Sequence, residues 1–482
     1  MKIKLVFIYL FLIGSFGHAQ QWIDKKYEFT SNLNVVYGTA INFNGGIDTL
    51  KLDLYQPICD DSLQISTKPL LIWIHGGAFI AGNKSDISIT NLCKEFAKRG
   101  YVTASLNYRL GFVSDDLAWN CNFPNYSCVF ATDTAEWYRA YFRAIQDCKG
   151  ALRYLVNRNA ALRIDTNNIF LAGESAGAFL ALGVSLMDSN SEKPLQAFAI
   201  NDAPKPNTNA LNCTYNVGKI FQNNTIQRPD LGSIEGNIEP TSTPFTIKGI
   251  GNMYGAMLSN LLQFHPSNKP KPAIFSFHQP CDMVVPMDSG KVFAGLSWCM
   301  TNGYNCFAIG NTPKVFGSRA ISQWNTLNNH GFTIQNQFTN TNFPFSFLIG
   351  AGSCLDQVNN PCHAYDNSEL RANQLAQFFA PIISTNPICD TAQVIVSING
   401  LLKQDLIRVF PNPANEVLSV TGIQFLPTTL SIYSIHGQFI MGNIKPQSSE
   451  IQINIKHLPS GIYVLQSIDK QGRVNHSKWV KH

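Results

Sequence analysis

The chain has 482 residues, 45% hydrophobic and 14% charged, which supplies apolar material for a large core and too little charge for a disordered polymer. Its formal net charge of +5 is a small excess for that length. No basic stripe with interleaved aromatics is present, so the sequence gives no case for nucleic-acid binding.

Lys2 and Lys4 precede an apolar run over residues 5–16, and Gly17-His18-Ala19-Gln20 then places small residues where a signal peptidase reads. The run is shorter than the ~20 apolar residues a spanning helix needs, and no other stretch reaches that length. Residues 1–19 therefore read as a signal peptide, with an N-terminal membrane anchor as the alternative. All twelve cysteines follow it, and an even count in an exported chain favours disulfides. None forms a CxxC pair or a Cys/His cluster at zinc spacing, so no metal site is expected. Cys121/Cys128 and Cys299/Cys306 are close enough in sequence to close small loops.

Residues 20–389 alternate short apolar segments with helical patterns. Strands are expected at 70–74, 101–106, 169–172, 197–200, 273–277 and 345–349, where near-continuous apolar runs suit a sheet buried on both faces. Helices are expected over 89–99 and 140–157, from Ser175 through Leu186, and from about Asp366. There Asp366-Asn367-Ser368-Glu369 has the form of a capping box and Pro381 is a stop. This alternation predicts an α/β fold with a mostly parallel sheet. Residues 112–136, 205–268 and 295–342 interrupt the rhythm and read as insertions, either lids and caps or surface loops. Residues 390–405 read as a linker. Residues 406–482 show short strands between Gly and Pro turns, the pattern of a small β-sandwich.

Gly173-Glu174-Ser175-Ala176-Gly177 is a G-x-S-x-G pattern placed between a strand and a helix. A sharp strand-to-helix turn there would project the Ser175 hydroxyl into a cleft, with the helix N-terminus favouring negative charge beside it. His75-Gly76-Gly77-Ala78-Phe79 follows the strand at 70–74. The N–H groups of Gly76, Gly77 and Ala176 are the expected oxyanion hole, worth roughly 3–4 kcal/mol per donor. His75 itself reads as a turn histidine bonded to backbone.

A hydrolase of this design needs an acid and a base in the chain order Ser, acid, His. Asp282 follows the strand at 273–277 and is the expected acid, with Asp288 and then Asp202 as rivals. His363 follows the strand expected at 345–349 and is the expected base. His330 is its rival. Cys281 and Cys362 each precede one of the pair. If the carboxylate meets the imidazole, these two cysteines are drawn together, and a disulfide clamping both loops is expected provided their Cα atoms lie within ~7 Å.

Several stretches together resemble the bacterial carboxylesterases of the α/β-hydrolase superfamily. They are His75–Phe79, Asn107-Tyr108-Arg109-Leu110-Gly111, Asp147 with Ala151-Leu152-Arg153-Tyr154-Leu155, Gly173–Gly177, Asp282–Pro286 and His363-Ala364. The resemblance covers residues 50–380 apart from the insertions. It extends both to cholinesterase-like enzymes and to smaller carbohydrate esterases that remove acetyl or feruloyl groups. It implies that residues 107–111 and Asp147 are structural. Pro411-Asn412-Pro413, Gly437, Leu458-Pro459-Ser460-Gly461-Ile462-Tyr463 and the basic ending from Lys478 resemble the C-terminal sorting domain of the type IX secretion system. That likeness implies delivery across the outer membrane by this machinery, with release or retention at the cell surface. A carbohydrate-binding or spacer sandwich is the alternative.

The sequence thus predicts a secreted serine esterase acting through a Ser175–His363–Asp282 triad and an acyl-enzyme, with no cofactor and with a small or polymeric ester as substrate. Activity should fall in acid as His363 is protonated. A lipid or polyester esterase, a peptidase on the same fold and a non-catalytic cholinesterase-like adhesion protein are the alternatives.

Overall fold

The computed structural model describes residues 21–58, 67–113, 133–202, 227–262, 270–296, 311–339, 362–384, 408–421, 429–434, 439–468 and 474–482. The chain divides into two compact units, Met1–Asp390 and Thr391–His482. The expected signal peptide, the expected strand at 345–349 and most of the insertion at 112–136 lie outside the described residues.

The first unit is built on an eight-stranded sheet. Its strands are β1 (Phe29–Ile41), β2 (Ile47–Pro57), β3 (Lys68–Ile74), β4 (Val102–Leu106), β5 (Ile164–Glu174), β6 (Ile247–Met253), β8 (Ala273–His278) and β11 (Ile334–Phe338). Their order is β1-β2-β4-β3-β5-β6-β8-β11. β1 and β2 pair antiparallel, as do β2 and β4. Every pairing from β4 to β11 is parallel. A smaller antiparallel sheet joins β7 (Ala256–Leu258), β9 (Ser289–Lys291) and β10 (Lys314–Gly317).

Parallel neighbours need long crossovers, and α-helices supply those from β3 to β4, β4 to β5, β5 to β6 and β8 to β11, while a fifth helix follows β11. These are α1 (Ile87–Ala97), α2 (Thr134–Asn157), α3 (Ala176–Leu186), α4 (Ser318–Leu327) and α5 (Ser368–Phe379). The strands are apolar on both faces because helices cover both. Leu70, Ile72 and Ile74 of β3 pack into one core with α2, α3 and α4. Leu71 and Trp73 point the other way, into a second core with α1 and α5. α3 is apolar all round and buried along nearly its whole length, as expected of a central helix.

Three sequence expectations change. Residues 197–200 are not a strand: Leu195–Ala197 is a single 3-10 turn, and Ile200 makes one isolated bridge to Arg228. The strand after α3 is β6, inside the stretch read as an insertion at 205–268. β11 and α4 likewise fall within 295–342, so that stretch contributes to the sheet. The helix expected from about Asp366 is α5, which starts at Ser368 and is capped by the Asn367 side chain accepting from the Leu370 N–H at 2.9 Å.

In the second unit the described strands are β12 (Arg408–Phe410), β13 (Val417–Thr421), β14 (Thr429–Ser434), β15 (Phe439–Ile444), β16 (Glu450–Asn454), β17 (Gly461–Ile468) and β18 (Val474–Lys481). They form sheets ordered β12-β13-β16 and β15-β14-β17-β18. Leu418, Val420 and Ile453 from one sheet share a core with Leu430, Ile432, Leu465 and Trp479 from the other. This is a small β-sandwich.

Candidate active site

Topology brings the two glycine-containing motifs together. In the pairing of β3 with β5, Ile74 lies opposite Gly173. The loop beginning at His75 and the turn at Ser175 therefore leave the carboxyl edge of the sheet side by side, where ligands bind in sheets of this kind. Ser175 is the N-cap of α3 and has φ 52° and ψ −124°. A positive φ at a non-glycine residue costs on the order of 1–3 kcal/mol and persists only where its surroundings enforce it. They do so here. The Ser175 N–H donates to the Met253 carbonyl of β6 at 3.0 Å. A Cβ on Gly177 would sit 2.0 Å from the Ile74 carbonyl oxygen, so only glycine lets α3 start this close to β3.

The loop after β3 is fixed around its own carbonyls. The Gly77 carbonyl accepts from the N–H groups of Ile80 and Ala81 at 3.0 and 2.9 Å. The His75 Nδ1–H donates to the Gly76 carbonyl at 2.7 Å, and the ring stacks on Tyr108 at 4.4 Å. Burial lowers the His75 pKa, which keeps the ring neutral. Tyr108 donates to the His75 carbonyl at 3.0 Å. Gly77 has φ +106°, and a Cβ on Gly76 would lie 3.1 Å from the Ser175 Cβ. The backbone of Gly76 thus abuts the serine.

His363 sits between Ser175 and Asp282. Its Nε2 accepts from the Ser175 hydroxyl at 2.7 Å, and its Nδ1–H donates to Asp282 Oδ2 at 2.7 Å. The Tyr254 ring and the imidazole meet in a T-shaped contact, with centroids 4.8 Å apart. Asp282 is buried and takes two more donors on Oδ1, the Val284 and Val285 N–H groups at 2.8 and 2.9 Å. Burial opposes its ionisation, but the imidazoles of His363 and His278 outweigh it and hold the carboxyl below the usual range. Cys281 and Cys362 form a disulfide with Cα atoms 5.7 Å apart, joining the loops that carry the acid and the imidazole.

The rivals are placed elsewhere. Asp288 is exposed and paired with Arg319. Asp202 is exposed. His330 stacks on Trp324 at 3.9 Å. Arg109 and Asp147 form a buried pair at 2.7 Å that ties the segment after β4 to α2.

Two neighbours carry no motif that names them. His278 ends β8 and lies 3.3 Å from Asp282 Oδ2 through Nε2. Glu174 accepts from the Ser88 hydroxyl at 2.8 Å and the Tyr254 hydroxyl at 3.2 Å. Burial pushes its carboxyl up, against those hydrogen bonds. The signal for His278 was its position at a strand end, four residues before the acid. Among the described residues no group of His, Cys, Asp and Glu could hold a metal ion, and no helix is long and apolar enough to cross a membrane.

The family described as BD-FAE matches residues 52–118 and 135–294, and a secretion system C-terminal sorting domain matches residues 408–482. The chain belongs to the α/β-hydrolase superfamily and carries a secretion-system sorting domain. This α/β-hydrolase is 26% identical over 249 residues to isoprenylcysteine alpha-carbonyl methylesterase of Arabidopsis thaliana, covering 50% of this chain and 48% of that protein. It is 32% identical over 134 residues to phenmedipham hydrolase of Pseudarthrobacter oxydans, covering 27% of this chain and 22% of that one. The chain spans about half the length of the curated relatives it matches. Among solved structures, apo esterase 2 of Thermogutta terrifontis is 16% identical, covers 75% of this chain and 96% of its own, and has a TM-score of 0.39. The BD-FAE match of the α/β-hydrolase includes Ser175 and Asp282 and ends before His363.

Proposed function

We propose that this chain is a serine carboxylic-ester hydrolase working outside the cell, exported by the type IX secretion system, with carbohydrate acetyl or feruloyl esters as its substrates. The observation that carries this reading is the pair of 2.7 Å hydrogen bonds linking Ser175 through His363 to Asp282. His363 takes the Ser175 proton as Oγ attacks the ester carbonyl. Asp282 holds the Nδ1–H tautomer and stabilises the imidazolium. The N–H groups of Gly76, Gly77 and Ala176 receive the oxyanion. The imidazolium then protonates the departing alcohol, leaving the acyl group on Ser175. Water, deprotonated by His363, releases the acid and restores the serine.

The low pKa of Asp282 supports its role, since an orienting carboxylate must stay ionised beside a cationic imidazole. The relatives, a methylesterase and a hydrolase, agree with ester chemistry. The sorting domain supports an extracellular site of action.

Hydrolysis of p-nitrophenyl acetate by wild-type and Ser175→Ala protein tests the assignment. Loss of roughly 10⁴-fold or more in kcat with an unchanged circular dichroism spectrum is expected. A variant that keeps wild-type turnover sinks it.

A further inference from the structure

Beside Ser175 lies a cavity of about 30 Å³. Its walls include Phe79 of the oxyanion loop, Trp137 of α2, Phe179 of α3, Leu258, Val292 and Phe293. Apart from Ser175 itself, every side chain lining it is apolar. The walls brace one another and are backed by Tyr141 and Phe112. Phe79 packs edge-on against Phe179 and Tyr141, with centroids 6.2 and 6.0 Å away. Trp137 packs on Phe112 at 5.0 Å and on Phe293 at 6.3 Å. Rings wedged this way sit in a close-packed interior and do not yield without cost.

We propose that this cavity is the acyl-binding pocket and that it restricts the enzyme to short acyl groups, acetyl and propionyl, while excluding feruloyl and longer chains. The proposal rests on the esterase reading and narrows it, from acetyl or feruloyl esters to acetyl and other short-acyl esters alone. A carbonyl held between Ser175 and the oxyanion loop has two substituents. The alcohol must leave and water must replace it, so that side needs an open path. The acyl substituent stays through both steps and suits the side lined by apolar groups. One water-sized group needs roughly 10–15 Å³ of such a cavity, so this one takes two or three such groups. An acetyl methyl or a propionyl ethyl fits. A hexanoyl chain or an aromatic ring does not, and forcing one in displaces Trp137 or Phe293. The alcohol is left unconstrained by these walls, which is compatible with a bulky sugar on that side.

The test is kcat/KM for full-length protein on p-nitrophenyl esters from acetate to octanoate, with methyl ferulate alongside. The wild type is expected to be fastest on acetate or propionate and to fall at least tenfold by hexanoate, with ferulate at background. Trp137→Ala is expected to raise the hexanoate-to-acetate ratio at least tenfold. Phe293→Ala is a second opening of the same pocket, should the tryptophan variant fail to fold. A wild type that takes hexanoate or ferulate as readily as acetate overturns the pocket assignment and leaves the esterase reading intact. An unchanged ratio in a folded variant also overturns it. Folded wild type that turns over no ester of any length overturns both.

Discussion

His278 Nε2 lies 3.3 Å from Asp282 Oδ2, the same carboxylate oxygen that accepts from His363 at 2.7 Å. Asp282 is therefore gripped by two imidazoles as well as by two backbone amides. His278 Nε2 also faces the Val285 carbonyl at 3.0 Å, so it stands between two acceptors and must carry a proton. Its Nδ1 meets the Ser318 hydroxyl at 2.9 Å, which ties the acid to the start of α4. Asp282→Asn is expected to lower kcat by about 10⁴-fold, because the amide favours the wrong His363 tautomer. His278→Phe removes one donor of four and should cost far less, on the order of tenfold. Steady-state kinetics on p-nitrophenyl acetate separate the two, and equal losses would contradict this ranking.

The Cys281–Cys362 bond joins residues 81 apart in sequence. Closing a loop of that size stabilises a fold by about 2–5 kcal/mol. Dithiothreitol, or the double change Cys281→Ser with Cys362→Ser, is expected to lower the melting temperature and kcat together. A reduced protein with the wild-type melting temperature and turnover contradicts this role for the bond.

How much of this was legible beforehand depends on what kind of residue carried the signal. The meeting of Ser175 with the loop at Gly76 and Gly77 was legible because the positive φ of Gly77 and the close approach of Gly177 to Ile74 demand glycine at a fixed spacing. Asp282 and His363 were readable from order along the chain and from the strand before the acid. β6 was missed because Ile247–Met253 reads Ile-Lys-Gly-Ile-Gly-Asn-Met, with little β-branched character. The structure explains the glycines: a Cβ on Gly249 would lie 2.7 Å from Phe379, and one on Gly251 3.1 Å from Leu375. They make room for α5, a contact between distant segments. β11 was missed because Ile-Gln-Asn-Gln-Phe is polar, as a strand at the edge of the described sheet allows. Ile200 drew residues 197–200 into a strand reading that its single bridge does not support.

Glu174 predicts a pH dependence. The fold favours its protonated form, so ionising it costs stability. Wild type should lose stability relative to Glu174→Gln as pH rises from the unfolded carboxylate value, about 4.3, through the raised folded value. Above that the difference should stay constant. Melting temperatures of both proteins between about pH 4 and 8 check the sign; a gap that narrows with rising pH refutes it.

Gly77→Ala adds a methyl 2.2 Å from the Ala81 carbonyl oxygen, at a φ of +106° that alanine resists. The loop must move, and the amides at Gly76 and Gly77 move with it. At least a hundredfold loss of kcat is expected, the scale of removing one oxyanion donor. Near wild-type kinetics would show that these amides do not face the reaction.

The contact between Gly177 and Ile74 has a consequence for how such an enzyme changes over generations. Helix α3 meets strand β3 main chain to main chain, within 2.0 Å of where any larger residue would place its first carbon. The spacing between serine and amides is therefore written in backbone, and a point mutation has almost no way to adjust it. Side chains such as Trp137 and Phe293 have no such constraint. A lineage acquiring a new diet can rewrite the walls while inheriting the reacting centre whole.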